Sequence, residues 1–271
     1  MTTAAAPTVT KTERRQATPA WQVVVGQELR DLWLSPKGLT VLFGYTLLLS
    51  VMAYVAATDA DLNLLDARES VGVVVQTAIG LGTLAALVVS ADAISGERER
   101  GTLEALLVTP ISRRGLVIGK LLAANTMWVA ALVVAMPYVL QMANGPGVVA
   151  DAFLVLVITG ALVGLAVTAL GLAVSSITRS NRVSLAASIG VLLLLAAPSQ
   201  LPAITANGFL GSILIRANPV SAGLHLAREV LINQQTWTSQ WTLWISPLIA
   251  AVVLTAIAIR LSTRIELGDS R

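Results

Sequence analysis

The chemistry this 271-residue chain could do is concentrated in thirteen residues, Asp92-Ala93-Ile94-Ser95-Gly96-Glu97-Arg98-Glu99-Arg100-Gly101-Thr102-Leu103-Glu104. Six of them are charged, in a chain whose charged fraction is only 12%. Neighbouring carboxylates can serve as acid–base pairs, but that work inside a membrane needs ionisable groups at depth, where charges are costly and kept for function. The only candidates outside the run sit at the ends of apolar stretches: Lys120 and Asp151. A second possibility is phosphate binding by Arg114-Gly115-Leu116-Val117-Ile118-Gly119-Lys120-Leu121. A phosphate loop requires a glycine five residues before its Gly-Lys pair and Ser or Thr after the lysine, and Arg114 and Leu121 stand there instead. Cysteine is absent and His225 is the single histidine, which removes thiolate and imidazole clusters as metal ligands. No catalytic, metal-binding or cofactor-binding residue is expected in this chain.

The elements that must position the run are apolar. Hydrophobic residues make up 55% of the chain, and the charged fraction is half the roughly 25% usual in soluble domains. A helix needs roughly 20 apolar residues to cross the hydrocarbon core. Six stretches meet this: Leu39 to Ala57, Val71 to Ile94, Leu116 to Val139, Ala152 to Ile177, Val183 to Leu201 and Leu243 to Ile259. Pro198 and Pro202 blur the end of the fifth. The fold class is therefore an all-α integral membrane protein with six transmembrane helices. The sequence pI of about 9.7 does not indicate nucleic acid, because the basic residues are spread over short loops. Fifteen of the eighteen, among them Lys11, Arg30, Lys37, Arg98, Arg113, Arg179, Arg182 and Arg264, fall on one side of the six spans, against Arg68, Arg216 and Arg228 on the other. The positive-inside rule places both termini in the cytoplasm of a cell membrane.

The remaining segments read as follows. Residues 1-17 form a flexible tail, and 18-36 an amphipathic helix in the inner interface, capped by Thr18-Pro19, with Trp21, Val24, Val25, Leu29 and Leu32 on its apolar side and a stop near Pro36. Residues 37-265 form the membrane domain, with a cytoplasmic loop at 95-115 and an outer segment at 201-242, and 266-271 a second tail. The outer segment holds two short helices, one of them with Leu224, Ala227 and Leu231 on one face, followed by Trp237, Trp241 and Trp244 as one aromatic face at headgroup level. Gly160, Gly164, Thr168 and Gly171 make a small-residue stripe for close helix contact, within the monomer or at a dimer seam.

Within the cytoplasmic loop the pattern predicts a turn at Gly101, a short helix from Thr102 to Val108 with Leu103, Leu106 and Leu107 on one side, a stop at Thr109-Pro110, and a new helix capped by Ser112. A short amphipathic helix outside the bilayer suits a groove on a soluble protein. Its alternating signs go beyond a loop that only sets topology, since topology needs the basic residues alone.

The stretch from Glu97 to Ser112, followed by Gly119-Lys120, is similar to the loop between spans two and three of the permease subunits of type-2 ATP-binding-cassette (ABC) exporters. Glu28-Leu29-Arg30, the six spans and the short turn Thr178-Arg179-Ser180-Asn181-Arg182 extend the resemblance along most of the chain. The resemblance implies a coupling helix docked on a separate ATPase, with Glu97, Arg98, Glu99, Arg100, Gly101, Thr102 and Glu104 forming or orienting the contact. Leu103, Leu106 and Leu107 would anchor it or fill the groove, and Arg179 and Arg182 would make a smaller second contact. It also implies a second permease copy or paralogue as dimer partner, and ATP and magnesium on the ATPase alone. The alternative function is a mechanical or scaffolding subunit that transmits ATPase motion to an extracytoplasmic partner through the outer segment.

Overall fold

The computed structural model describes residues 20–61, 66–103, 112–200 and 209–261. The expected tails 1-17 and 266-271, the Thr18-Pro19 cap and the helix body from Glu104 through Leu107 to Val108 lie outside the described residues. What is described is helical, with no strand among the described residues. The helices are α1 (Ala20–Trp33), α2 (Pro36–Asp61), α3 (Ala67–Asp92), α4 (Ser95–Glu99), α5 (Arg113–Asn144), α6 (Val149–Leu154), α7 (Gly160–Ile177), α8 (Asn181–Gln200), α9 (Phe209–Ala217), α10 (Pro219–Leu231) and α11 (Trp241–Leu261). A π-helical turn, Val155–Thr159, joins α6 to α7.

Six helical spans are long and apolar enough to cross a membrane: Pro36–Asp59, Ala67–Glu99, Arg113–Asn144, Val149–Ile177, Asn181–Ser199 and Trp241–Leu261. They divide into two layers. In an apolar 18-residue stretch of each, 61%, 50% and 56% of the residues of the second, third and fourth spans are buried, against 22%, 17% and 22% in the first, fifth and sixth. The inner three therefore form the core and the outer three present Leu, Val and Phe side chains such as Phe43, Leu194 and Val252 to their surroundings, which suits a hydrocarbon solvent.

The small-residue stripe belongs to the monomer core. Trp128 of α5 is 2% exposed and lies where three glycines leave room. A Cβ at Gly160 would stand 2.3 Å from Trp128 Cζ2, one at Gly82 2.5 Å from Cζ3, and one at Gly164 3.0 Å from Cδ2. Gly171 likewise gives space to Ser90, whose Oγ would be 2.2 Å from an added Cβ. The stripe thus seats α5 and α3 on the fourth span.

α1 ends at Trp33, and after a break at Leu34-Ser35 Pro36 opens α2 at the first helical position, where its missing N–H costs nothing. The aromatic face differs from the sequence expectation. Trp237 precedes α11 in a turn, packs on Trp244 with ring centroids 5.3 Å apart, and donates from Nε1 to Asp151 Oδ1 at 3.1 Å. Trp241 points away and is exposed, so the three tryptophans do not share one face.

At this end of the bundle α10 is capped by Asn218, whose Oδ1 accepts from Val220 N and Ser221 N at 3.1 and 3.2 Å. Asn218 Nδ2 and Ser221 Oγ both donate to Leu195 O, at 2.6 and 2.7 Å, in the turn of α8 that precedes Pro198. Leu224, Ala227 and Leu231 are buried, so the apolar face of α10 packs into the bundle.

Candidate functional site

The opposite end carries the charged run, and its first half is turned inward. α3 ends at Asp92 and the chain bends through Ala93-Ile94 into the one-turn α4. The bend strands two backbone donors, and Ser175 Oγ of α7 accepts both, from Ile94 N at 3.1 Å and Ser95 N at 2.9 Å. Ala91 O accepts from Ser184 Oγ of α8 at 2.7 Å. Gly96 is required here, since a Cβ would lie 2.1 Å from Asp92 Oδ1.

The alternating signs have an internal use. The Arg98 guanidinium donates to the carbonyls of Thr178 and of Ser176, at the C-terminal end of α7, where a cation complements the helix dipole. Glu99 Oε2 accepts from Asn181 N at 2.9 Å, at the N-terminus of α8, where an anion does the same. Two adjacent residues of opposite charge thus close the ends of two consecutive helices.

Glu97 points the other way. The Lys120 ammonium of α5, with a side chain 0% exposed, stands 2.6 Å from Glu97 Oε1 and 2.5 Å from Glu28 Oε1 of α1. Paired charge of this kind is the condition under which a lysine tolerates full burial. Beside it, Lys37 of α2 donates to Asp92 Oδ2, and Arg100 Nη1 lies 3.9 Å from Asp92 Oδ1. Gly119 lets α1 come close enough for the Glu28 contact, as a Cβ would stand 2.6 Å from Val24 Cγ1. Trp33 Nε1 adds a bond to Thr126 Oγ1 at 3.1 Å. The segment from Asp92 to Arg100 is in this way tied to α1, α2, α5, α7 and α8.

Beyond it the chain turns at Gly101, φ +71°, a left-handed conformation that glycine adopts freely. Leu103 is buried against Ile94, Val117, Leu121, Leu172 and Ala258. Ser112 caps α5 by accepting from Gly115 N at 3.1 Å. Of the candidate contact residues, Glu97 and Arg98 are half-buried against partners within the bundle, Glu99 and Arg100 are exposed although each also reaches a partner there, and Gly101, Thr102, Arg179 and Arg182 are exposed at the same end. Glu104 and Leu107 lie outside the described residues.

Lys120 and Glu28 belong to this site although neither is among the contact residues expected from the sequence, where Lys120 falls at the end of an apolar stretch and Glu28 in the interfacial helix. The available signal was a lone lysine one turn inside an apolar stretch, which demands a carboxylate partner. Among the described residues no group of three or more His, Cys, Asp or Glu side chains is placed to hold a metal ion.

Six helices long and apolar enough to cross a membrane, with an ion-paired, partly exposed junction at one end, define a multi-pass membrane protein. The chain belongs to the family described as ABC-2 family transporter protein, whose model matches residues 22–267; it is therefore a transmembrane subunit of an ABC transporter. It is also similar to a protein named ABC transporter permease protein NatB from Bacillus subtilis (strain 168), with 40% identity over 55 residues, which is 20% of this chain and 14% of that relative. Permeases of this kind are generally non-catalytic.

Proposed function

We propose that this chain is the permease subunit of an ABC exporter, working as a dimer and driven by a separate ATPase that docks on its charged end. That end and both termini lie in the cytoplasm in this reading, which the distribution of basic residues supports. The observation that carries the reading is the junction itself. Glu99, Arg100, Gly101 and Thr102, with Arg179 and Arg182 beside them, form the exposed face. Glu97, Arg98 and Lys120 lock the same segment to the bundle. A push on the exposed face is then shared by five helices, which is the rigid-body transmission a remote motor needs. Leu103, buried, anchors the segment on its bundle side, and Glu104 and Leu107 belong to the proposed ATPase contact.

The path for cargo is the groove of about 490 Å³ between α2, α3, α8 and α10. Met52, Leu192 and Leu224 make it apolar, and Gln76, Thr77 and Thr83 supply its polar groups. A second copy facing it would enclose a pathway suited to an amphipathic molecule. The scaffolding alternative loses support from α10, whose apolar face is committed to the bundle and does not project as an arm. The test is purification of the tagged chain from native membranes followed by reconstitution. An ATPase subunit should copurify, and transport should require ATP. Recovery without any ATPase, or ATP-independent transport, would overturn the proposal.

A further inference from the structure

A cleft of about 560 Å³ opens at the charged end between α1, the α1–α2 break, the end of α3, and α5. Its lining carries four carboxylates, Glu28, Asp31, Asp92 and Glu97, and four cations, Arg30, Lys37, Arg100 and Lys120. The two signs are not evenly matched within it. On one wall the single carboxylate of Asp92 serves both Lys37 and Arg100, leaving cation in excess. On the other, Lys120 serves both Glu28 and Glu97, leaving carboxylate in excess, and Glu97 Oε2 has no hydrogen-bond partner among the described residues. Arg30 and Asp31, adjacent and exposed, make no ion pair among the described residues and add one free charge of each sign. The lining is neutral overall, with cation in excess around Asp92 and carboxylate in excess around Lys120.

An anion alone would meet the carboxylate wall, and a cation alone the opposite one. A molecule bearing both charges close together matches the cleft. Its apolar surroundings extend the match: Leu34 in the lining is 82% exposed, and Leu39 and Phe43 continue an exposed apolar strip along α2. A solvated pocket gains nothing from such a strip, whereas acyl chains would cover it.

We propose that this cleft holds the headgroup of a zwitterionic aminophospholipid, its phosphate facing Lys37, Arg100 and Arg30, its primary ammonium facing Glu28 and Asp31, and its acyl chains along Leu39 and Phe43. The site stands independently of what the permease moves. A bound lipid would fill the break between α1 and α2 and hold α1 at the membrane interface.

The test is native mass spectrometry of the full chain titrated with dioctanoyl phosphatidylethanolamine, phosphatidylglycerol or phosphatidylcholine, with soluble phosphoethanolamine in a parallel arm. Phosphatidylethanolamine should be retained about tenfold better than either other lipid, since phosphatidylglycerol lacks the ammonium and phosphatidylcholine its N–H donors. Phosphoethanolamine should bind far more weakly, because it lacks the chains. Arg30→Gln and Asp31→Asn, both exposed and not members of the buried ion pairs, should each weaken retention about tenfold without lowering thermal stability. Equal retention of the three lipids, a preference for phosphatidylglycerol, equally tight binding of phosphoethanolamine, or unchanged retention by both variants would each overturn the assignment. Should either variant lose stability, Arg30→Lys and Asp31→Glu replace them; these keep the charge and should bind within about threefold of the parent chain, and a loss as large as tenfold with either would equally overturn it.

Discussion

Lys120→Met is the perturbation that bears hardest on the junction. The ammonium it removes is fully buried and sits between Glu28 Oε1 and Glu97 Oε1, at 2.5 and 2.6 Å. Methionine fills most of the volume, so packing loss is a minor part of the effect. What remains is two carboxylates, both mostly buried, without the cation they share. Removing one partner of a buried ion pair costs about 3–5 kcal/mol, which in a chain of this size lowers the midpoint of thermal unfolding by on the order of 10 °C. The triple variant Glu28→Gln/Lys120→Met/Glu97→Gln removes the charges together and should recover most of the loss, because a neutral set has no uncompensated carboxylate. Fluorescence-detected thermal unfolding in detergent measures both proteins on one scale. A Lys120→Met midpoint within about 2 °C of the parent, or a triple variant less stable than the single, would refute the reasoning.

Other consequences are equally checkable. Gly119→Val should loosen α1, since the added side chain meets Val24, and Val24→Ala should restore part of the stability; limited proteolysis between α1 and α2 reports both. Gly160→Leu should displace Trp128 from its glycine seat and cost about 1–3 kcal/mol from overpacking, with a red-shifted Trp128 emission when the other five tryptophans are replaced. Burial pushes the His225 imidazole below its ordinary range; Glu229 opposes the shift, and Arg228 and Arg216 reinforce it. The unfolded chain therefore binds a proton at higher pH than the native one, and stability should fall as pH drops below about 6.5. Replacing His225 by Asn should flatten that slope in a melting series from about pH 7.5 to about 5.5.

Much of the architecture is legible in local pattern. Six apolar runs give six spans because burial in lipid demands continuous apolar length, and the turn at Gly101 and the cap at Ser112 follow from backbone chemistry within a few residues. The buried face of α10 follows from its helical spacing. The inward half of the charged run is a different kind of information. Arg98 and Glu99 find their partners about 80 residues away, in the turn between α7 and α8, and Glu28 finds Lys120 across 92 residues. No local rule ranks these pairings above exposure to a partner protein. Pro36 marks the break after α1, but the pattern does not say that it also begins α2: a proline that cannot continue one helix is well suited to begin the next. The small-residue stripe permits close approach without saying to what, and only the fold puts Trp128 against it.

The central claim is that an ATPase grips the exposed face of a junction whose inner side is locked to the bundle. Reconstitution of the chain with its ATPase in the parent form and as Arg179→Glu/Arg182→Glu, both exposed, tests it directly, by ATP turnover and by copurification. The account predicts that the variant inserts as a folded dimer but no longer retains the ATPase, so that no permease-dependent turnover remains. A variant that keeps its ATPase and turns over ATP at the parent rate would contradict it.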